Sequence, residues 1–164
     1  MARTGKDWTF NGSAHLDEKG FPHIALNIGK DLGTNTGGPK QTHYFRWDGK
    51  KWFDGIPVEI TSSQNNTDTR GDFFIDKASG KVTFVLGYQE DKDGVIALFS
   101  NEDNNQSFVK KQELLRRPGA SWAVTSTIHN AHPDGRIIVA EKIKGQQWHR
   151  MYLLGDGGAI YRDQ

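Results

Sequence analysis

An all-β fold of repeated four-stranded antiparallel sheets is what this sequence predicts, and three observations predict it. A segment recurs three times in outline: Ser13-Ala-His-Leu-Asp-Glu-Lys-Gly20-Phe-Pro-His-Ile-Ala-Leu26, then Gly71-Asp-Phe-Phe-Ile-Asp-Lys-Ala-Ser-Gly80-Lys-Val-Thr-Phe-Val-Leu86, then Ser126-Thr-Ile-His-Asn-Ala-His-Pro-Asp-Gly135-Arg-Ile-Ile-Val-Ala140. Each copy reads strand, polar turn ending in glycine, strand, and a second strand pair follows each one. Composition agrees: 164 residues hold 19 Gly, 5 Trp, 4 Tyr and 9 Phe, and no long Ala/Leu/Glu/Lys stretch offers a helix.

The elements follow from alternation, because successive side chains of a strand point to opposite faces. Over 22–29, Ile24, Leu26 and Ile28 face one way, and His23, Ala25 and Asn27 the other. Over 81–88 the apolar face is Val82, Phe84 and Leu86, and over 136–142 it is Ile137 and Val139. Third strands are expected at 43–47, 95–99 and 148–153, and fourth strands at 51–53, 107–109 and 159–161. Asp48-Gly49, Asp103-Asn-Asn105 and Gly155-Asp-Gly-Gly158 supply the positive backbone angles of tight turns between them. Only Gln112-Glu-Leu-Leu-Arg-Arg117 hints at helix, and it is short and uncapped.

A four-stranded meander of this kind is a propeller blade. The turn glycines stand about 55 to 60 residues apart, near the period of such blades. The chain is therefore read as a single repeat domain over 1–164, with units at about 8–60, 70–115 and 121–164. A β-trefoil is the alternative, since it also has three repeats of this size. Three units would close a trefoil, whereas a propeller needs at least about four. On the propeller reading the chain is about three blades of an incomplete ring. It is then the piece of a larger propeller, or it pairs with another copy as a homo-oligomer to cover its open edges.

Charge and composition narrow the partners. Lys plus Arg is 21 against 20 Asp plus Glu, so the net charge is only +1 and no basic field holds a nucleic-acid backbone. No apolar run is long enough to span a membrane, and the N-terminal residues lack the apolar core of a signal peptide. Zero cysteine excludes disulfides, thiolate catalysis and Cys-ligated zinc. Asp91-Lys-Asp-Gly94 lacks the distal Glu of a calcium loop and reads as a hairpin turn. No nucleophile elbow, phosphate loop or HExxH pattern is present.

In an up-and-down blade alternate turns lie at opposite ends. The loop between the second and third strands is enlarged in the first unit, over 29–41, and function tends to sit on such loops. The residues expected at that end are Asn27, Lys40, His43, Tyr44, Arg46, Arg70, Asp72, Tyr88 and Gln89. This mixture suits an anionic sugar: aromatic faces stack on rings, Arg forks a carboxylate, and amides read hydroxyls. The same residues have a plainer reading, with Tyr44 and Trp47 as packing and Arg46 as a cross-strand partner. His15 and His129, assigned to innermost strands, could with His132 hold a structural metal ion. Otherwise they are hydrogen-bonded fillers of a polar channel, and no cofactor is required.

The stretch 12–25, the loop Gly37-Gly-Pro-Lys-Gln41 with the strand Tyr44-Phe-Arg-Trp47, and the closing His132-Pro-Asp-Gly-Arg-Ile-Ile-Val139 resemble the BNR-repeat propellers, and among them the ulvan-lyase-like polysaccharide lyases. The resemblance implies a seven-bladed propeller, secreted or periplasmic, that cleaves uronate-containing sulfated polysaccharide by β-elimination. Such chemistry needs a cation to neutralise the carboxylate, a base to take the neighbouring proton and an acid for the leaving oxygen. The implied catalytic candidates are Arg46 or Arg70 as cation and Tyr44, His43 or Tyr88 as base or acid. Lys40, Gln41, Arg70 and Asn27 would contact the glycan. Tyr44 and Arg46 share one strand face and His43 takes the other. A non-catalytic glycan-binding or assembly module, including a trefoil lectin, is the competing expectation.

Overall fold

The computed structural model describes residues 5–29, 40–58, 70–101 and 107–159. They form twelve strands and one 3-10 turn. The first sheet contains β1 (Trp8–Leu16), β2 (Pro22–Gly29), β3 (Lys40–Trp47) and β4 (Trp52–Pro57). The second contains β5 (Arg70–Ile75), β6 (Val82–Glu90), β7 (Asp93–Ser100) and β8 (Val109–Pro118). The third contains β9 (Ser121–Thr127), β10 (Ile137–Lys142), β11 (His149–Gly155) and β12 (Gly158–Ala159). Every sheet is an antiparallel meander in chain order.

Two cores hold the sheets together. Between the first and second, Ala25 and Tyr44 pack on Phe73, Phe84, Leu86, Val95, Phe99 and Phe108. Between the second and third, Val85, Ile96, Leu98 and Leu114 meet Trp122, Ile137, Val139 and Leu154. The second sheet is thus covered on both faces, which is why β7 reads Val95-Ile-Ala-Leu-Phe99 without alternation. Phe73, Phe84 and Phe99 are fully buried, each contributing about 2 kcal/mol by removal of apolar surface from water. The first strands lie together at one side, with β5 against both β1 and β9.

The first two repeat turns match expectation. Asp17 closes the β1–β2 turn by accepting from the backbone N–H of Lys19 at 2.9 Å and Phe21 at 2.8 Å, and Gly20 takes φ 78°. Asp76 and Gly80, φ 69°, repeat the device between β5 and β6. The third differs: Asn130 supplies the positive φ, at 61°, and Pro133–Gly135 forms the 3-10 turn, capped by His132.

Three further expectations are corrected. Residues 112–117 are not helical; they belong to β8, paired along β7 with two bulges. The fourth strands of the first two units run to Pro57 and Pro118, well beyond 51–53 and 107–109. The ladders lie inside each sheet, and the described bridge between sheets is the isolated parallel pair Val58 and Phe108, so the barrel closure of a trefoil is not what joins them. The enlarged-loop residues 30–39, the Asp103-Asn-Asn105 turn, and Ile160 and Tyr161 lie outside the described residues.

Candidate active site

A cleft of about 1010 Å³ opens where the three sheets converge, at the end carrying the β1–β2, β3–β4 and β5–β6 turns. The first sheet contributes His15, Asp17, His23 and Arg46, the second Phe73 and Ile75, and the third strand group Thr127, His129 and Arg136. This is the end opposite Gly29 and Lys40, because β3 carries its chain from Lys40 at the far end to Arg46 at the cleft.

Pairing register builds the core of the cleft. His23 stands across from Arg46, and Ala25 from Tyr44, so all four share the face turned toward the second sheet. The Tyr44 hydroxyl lies 2.5 Å from His23 Nδ1, and His23 Nε2 is 3.6 Å from Asp17 Oδ2. A carboxylate can only accept, so the Asp17 side favours a proton on Nε2 and leaves Nδ1 to accept from Tyr44. Burial lowers the His23 pKa against the pull of Asp17, with the Arg46 charge adding to the lowering. Burial likewise pushes Tyr44 up to about 12. The pair is therefore a neutral imidazole backed by a protonated phenol. Arg46 sits over the Phe53 ring, its guanidinium carbon 4.4 Å from the centroid, which helps hold its fork at the cleft wall.

A second constellation joins the sheets. Asp72 on β5 is buried, and its Oδ1 is 2.7 Å from His15 Nε2 on β1. Its Oδ2 accepts from the backbone N–H and the hydroxyl of Thr127 on β9, each at 2.9 Å. Burial would raise the Asp72 pKa, but the hydrogen bonds from His15 and Thr127 outweigh it and hold the carboxyl at about 2. Arg136 stacks 3.5 Å from the centroid of Phe74 and is forked by Asp156.

The sequence-derived candidates separate. Arg46, His15 and His129 line the cleft, and Tyr44 lies directly beneath it. His43 sits on the other face of the first sheet, hydrogen-bonded to the Gly55 backbone, where burial lowers its pKa. Tyr88 is at the far end, buried against Phe99 with Lys110 over its ring. Asn27 accepts from Thr42, Lys40 covers Phe10, and Gln41 is exposed, all at that far end and apart from the cleft. The Arg70 backbone starts β5 there, and its side chain lies outside the described atoms. The proposed metal trio does not converge: His15 is held by Asp72, His129 follows β9 instead of lying within it, and His132 caps its own turn. Among the described residues no three ligating side chains gather.

His23 and Thr127 were not singled out as site residues by the sequence, and Asp72 was expected at the loop end instead of beside the cleft. Alternation already placed His23 on the face of Ala25 and Asn27; its pairing with Arg46 is the missing signal, and only register supplies it.

The fold and cleft define a class: antiparallel-sheet repeats with a histidine- and arginine-lined cleft at the convergence of the sheets. No protein-family profile matches the chain. Among curated proteins it is similar to an ulvan lyase of Pseudoalteromonas sp. (strain PLSV), 41% identical over 98% of the chain and 32% of that protein. It is also 39% identical, over the same shares, to an ulvan lyase of Alteromonas sp. (strain LOR). A solved structure of a polysaccharide lyase PL25 ulvan lyase superposes with TM-score 0.81 at 40% identity, covering 98% of this chain and 36% of that one. A second structure with the same measures is bound to -[GlcA(1-4)Rha3S]-. The chain thus spans about a third of the length of the curated relatives it matches.

Proposed function

We propose that this chain is part of an ulvan-lyase-like polysaccharide lyase, its three sheets being consecutive blades of a larger β-propeller, and that its cleft binds a uronate-containing, sulfated glycan for β-elimination. One observation carries the reading: nearly the whole chain aligns at 40% identity with a structure bound to a glucuronate–sulfated rhamnose repeat. The cleft chemistry supports it. Arg46, paired across from His23 on the face turned to the cleft, is a cationic donor for a uronate carboxylate. Neutralising that carboxylate is what makes the proton on the adjacent carbon removable. Such a substrate is met outside the cell, which supports a secreted or periplasmic location.

The test is incubation with ulvan, following the ultraviolet absorbance of unsaturated uronyl ends. A steady rise is expected. Arg46→Ala should reduce turnover on the order of a hundredfold or more, as loss of a preorganised charged donor does. Arg46→Lys should recover little, because the stacked planar fork is lost. The short span relative to its relatives favours one competing reading, a non-catalytic glycan-binding module. Calorimetric binding of ulvan without any absorbance rise would select it, and neither binding nor turnover would sink both.

A further inference from the structure

The end of the third sheet farthest from the cleft carries an aromatic side chain that the fold leaves outside. β10 runs away from the cleft for about 17 Å, from Ile137 to Lys142, and the hairpin to β11 turns there through Gly145 at φ 79°. Trp148 stands at the return of that hairpin with 54% of its surface exposed, while the other four tryptophans are buried or half-buried. Its Nε1–H donates to Gln146 Oε1 at 3.1 Å, so the polar edge of the indole is satisfied and the flat face is what it offers. A lone exposed side chain is ordinary, so its surroundings decide. From 142 to 155 the sequence has Lys142, Lys144, His149 and Arg150 and no Asp or Glu. Lys142 and Lys144 are exposed and have no ionic partner among the described residues. Register sets Arg150 beside Glu141, and Arg117 reaches the same carboxylate from β8 at 3.2 Å. Glu141 is buried, so one sealed carboxylate answers two guanidinium groups whose side chains stay 38% and 47% exposed. The nearby acids of the second sheet, Glu90, Asp93 and Glu113, are held by Arg116. A chain of net charge +1 thus has a locally basic surface around one open indole.

We propose that this hairpin is a second glycan-binding site, a surface platform on which Trp148 stacks a sugar ring while Lys142, Lys144 and Arg150 draw the carboxylate or sulfate groups of an anionic polysaccharide. The choice of glycan rests on the proposed lyase reading, but the platform is separate from the cleft and takes no part in the elimination. The indole face covers the C–H face of a pyranose and removes apolar surface of both from water. Ammonium groups on flexible stems suit anions whose positions vary along a polymer. With the cleft at one end of the sheets and the platform at the other, a long polymer engages both. The second contact is then intramolecular, which raises the apparent affinity for the polymer and does nothing for a fragment too short to span the two. Sheet-to-sheet packing leaves the platform open, because Met151 and Leu153 lie on the opposite side of β11 from Arg150.

The experiment compares long ulvan with an ulvan tetrasaccharide. Trp148→Ala should leave kcat on ulvan and all kinetics on the tetrasaccharide unchanged, while KM for the polymer rises about tenfold or more. In an Arg46→Ala background, where cutting is slow, affinity electrophoresis should still show polymer binding, and adding Trp148→Ala should abolish it. Lys142→Gln with Lys144→Gln should weaken that binding and flatten its salt dependence. Because Trp148 is exposed, its variant should melt at the wild-type temperature. A sulfate-free polyuronate and a uronate-free sulfated glycan tell which anion the cations take, and retention of neither overturns the platform. So does unaltered polymer binding in Trp148→Ala, an uncharged glucan held as tightly as ulvan, or single-stranded DNA held in preference to it. If Arg46→Ala alone abolishes polymer binding, the cleft is the one site and the platform falls. If the wild-type chain cuts nothing yet holds ulvan through Trp148, the lyase reading fails and the platform stands.

Discussion

Burial and pairing decide which residues of the cleft act, more than residue type does. Three carboxylates near it, Asp17, Asp48 and Asp76, accept from backbone N–H groups of their own turns. Asp48 and Asp76 are local turn closers, while Asp17 also faces His23 at 3.6 Å. Tyr44 is a different case: sealed beneath the cleft, it is a donor to one acceptor only, His23. Tyr44→Phe removes that donor and leaves a buried nitrogen unsatisfied, which should cost about 1–3 kcal/mol in urea unfolding. The penalty depends on pH. Burial depresses the folded His23 pKa below the ordinary 6.5, so the unfolded chain takes up the proton first. The neutral imidazole contributes its full stability above pH 6.5 and loses it as pH falls through the folded value. The wild-type advantage over Tyr44→Phe should therefore be largest at neutral pH and shrink in acid; a pH-independent difference would show that the hydroxyl does not serve His23.

At the scale of elements, what was legible is what is local. Glycine-closed turns and period-two alternation gave the hairpins around Gly20 and Gly80, because both are written within a dozen residues. Strand β8 was not legible, since Gln112-Glu-Leu-Leu-Arg-Arg117 consists of good helix formers. Pairing with the buried β7 overrides that preference, and two bulges break the alternation that would have marked a strand. Its charges also suit an outer edge: Arg116 pairs with Glu113, Glu90 and Asp93, blunting the strand against unwanted pairing. The cleft was half legible. Arg46 and His15 were picked from residue type, but their end of the sheet depends on how sheets stack, which no single strand encodes. The Asp72 strap is the clearest instance, joining residues 57 and 55 positions away in sequence. With its folded pKa near 2 against an ordinary 3.8, Asp72 contributes about 2 kcal/mol above pH 3.8, lost as pH falls toward 2. Thr127→Val keeps the backbone donor but removes the hydroxyl, so acid unfolding followed by circular dichroism should begin at higher pH. A midpoint unchanged from wild type would mean the strap carries no stability.

Across the whole molecule, the second sheet presents one face to the first sheet and the opposite face to the third. His15 of the first sheet faces Phe73 of the second, while Phe74 of the second packs toward the third. A step of this head-to-tail kind leaves two unlike faces at the ends, and repeating it generates a ring where the rotation closes. On the third sheet the outward positions of β10 and β11 include Ile138, Met151 and Leu153, with Met151 60% and Leu153 37% exposed. On the first sheet the outward positions of β2 and β3 include Ile24 and Leu26. In relatives about three times as long there is chain enough to cover both ends. As an isolated chain the two faces should find each other, so sedimentation velocity should show association that grows with concentration. Burying one Met or Leu side chain stabilises by about 1.5–3 kcal/mol, which corresponds to roughly tenfold or more in a dissociation constant. Met151→Lys with Leu153→Lys should therefore weaken self-association by about a hundredfold or more. The melting temperature at low concentration should hardly move, because neither side chain lies in either core. A wild-type chain that sediments as a monomer at every concentration would show that these faces need a different partner sheet from any this chain carries.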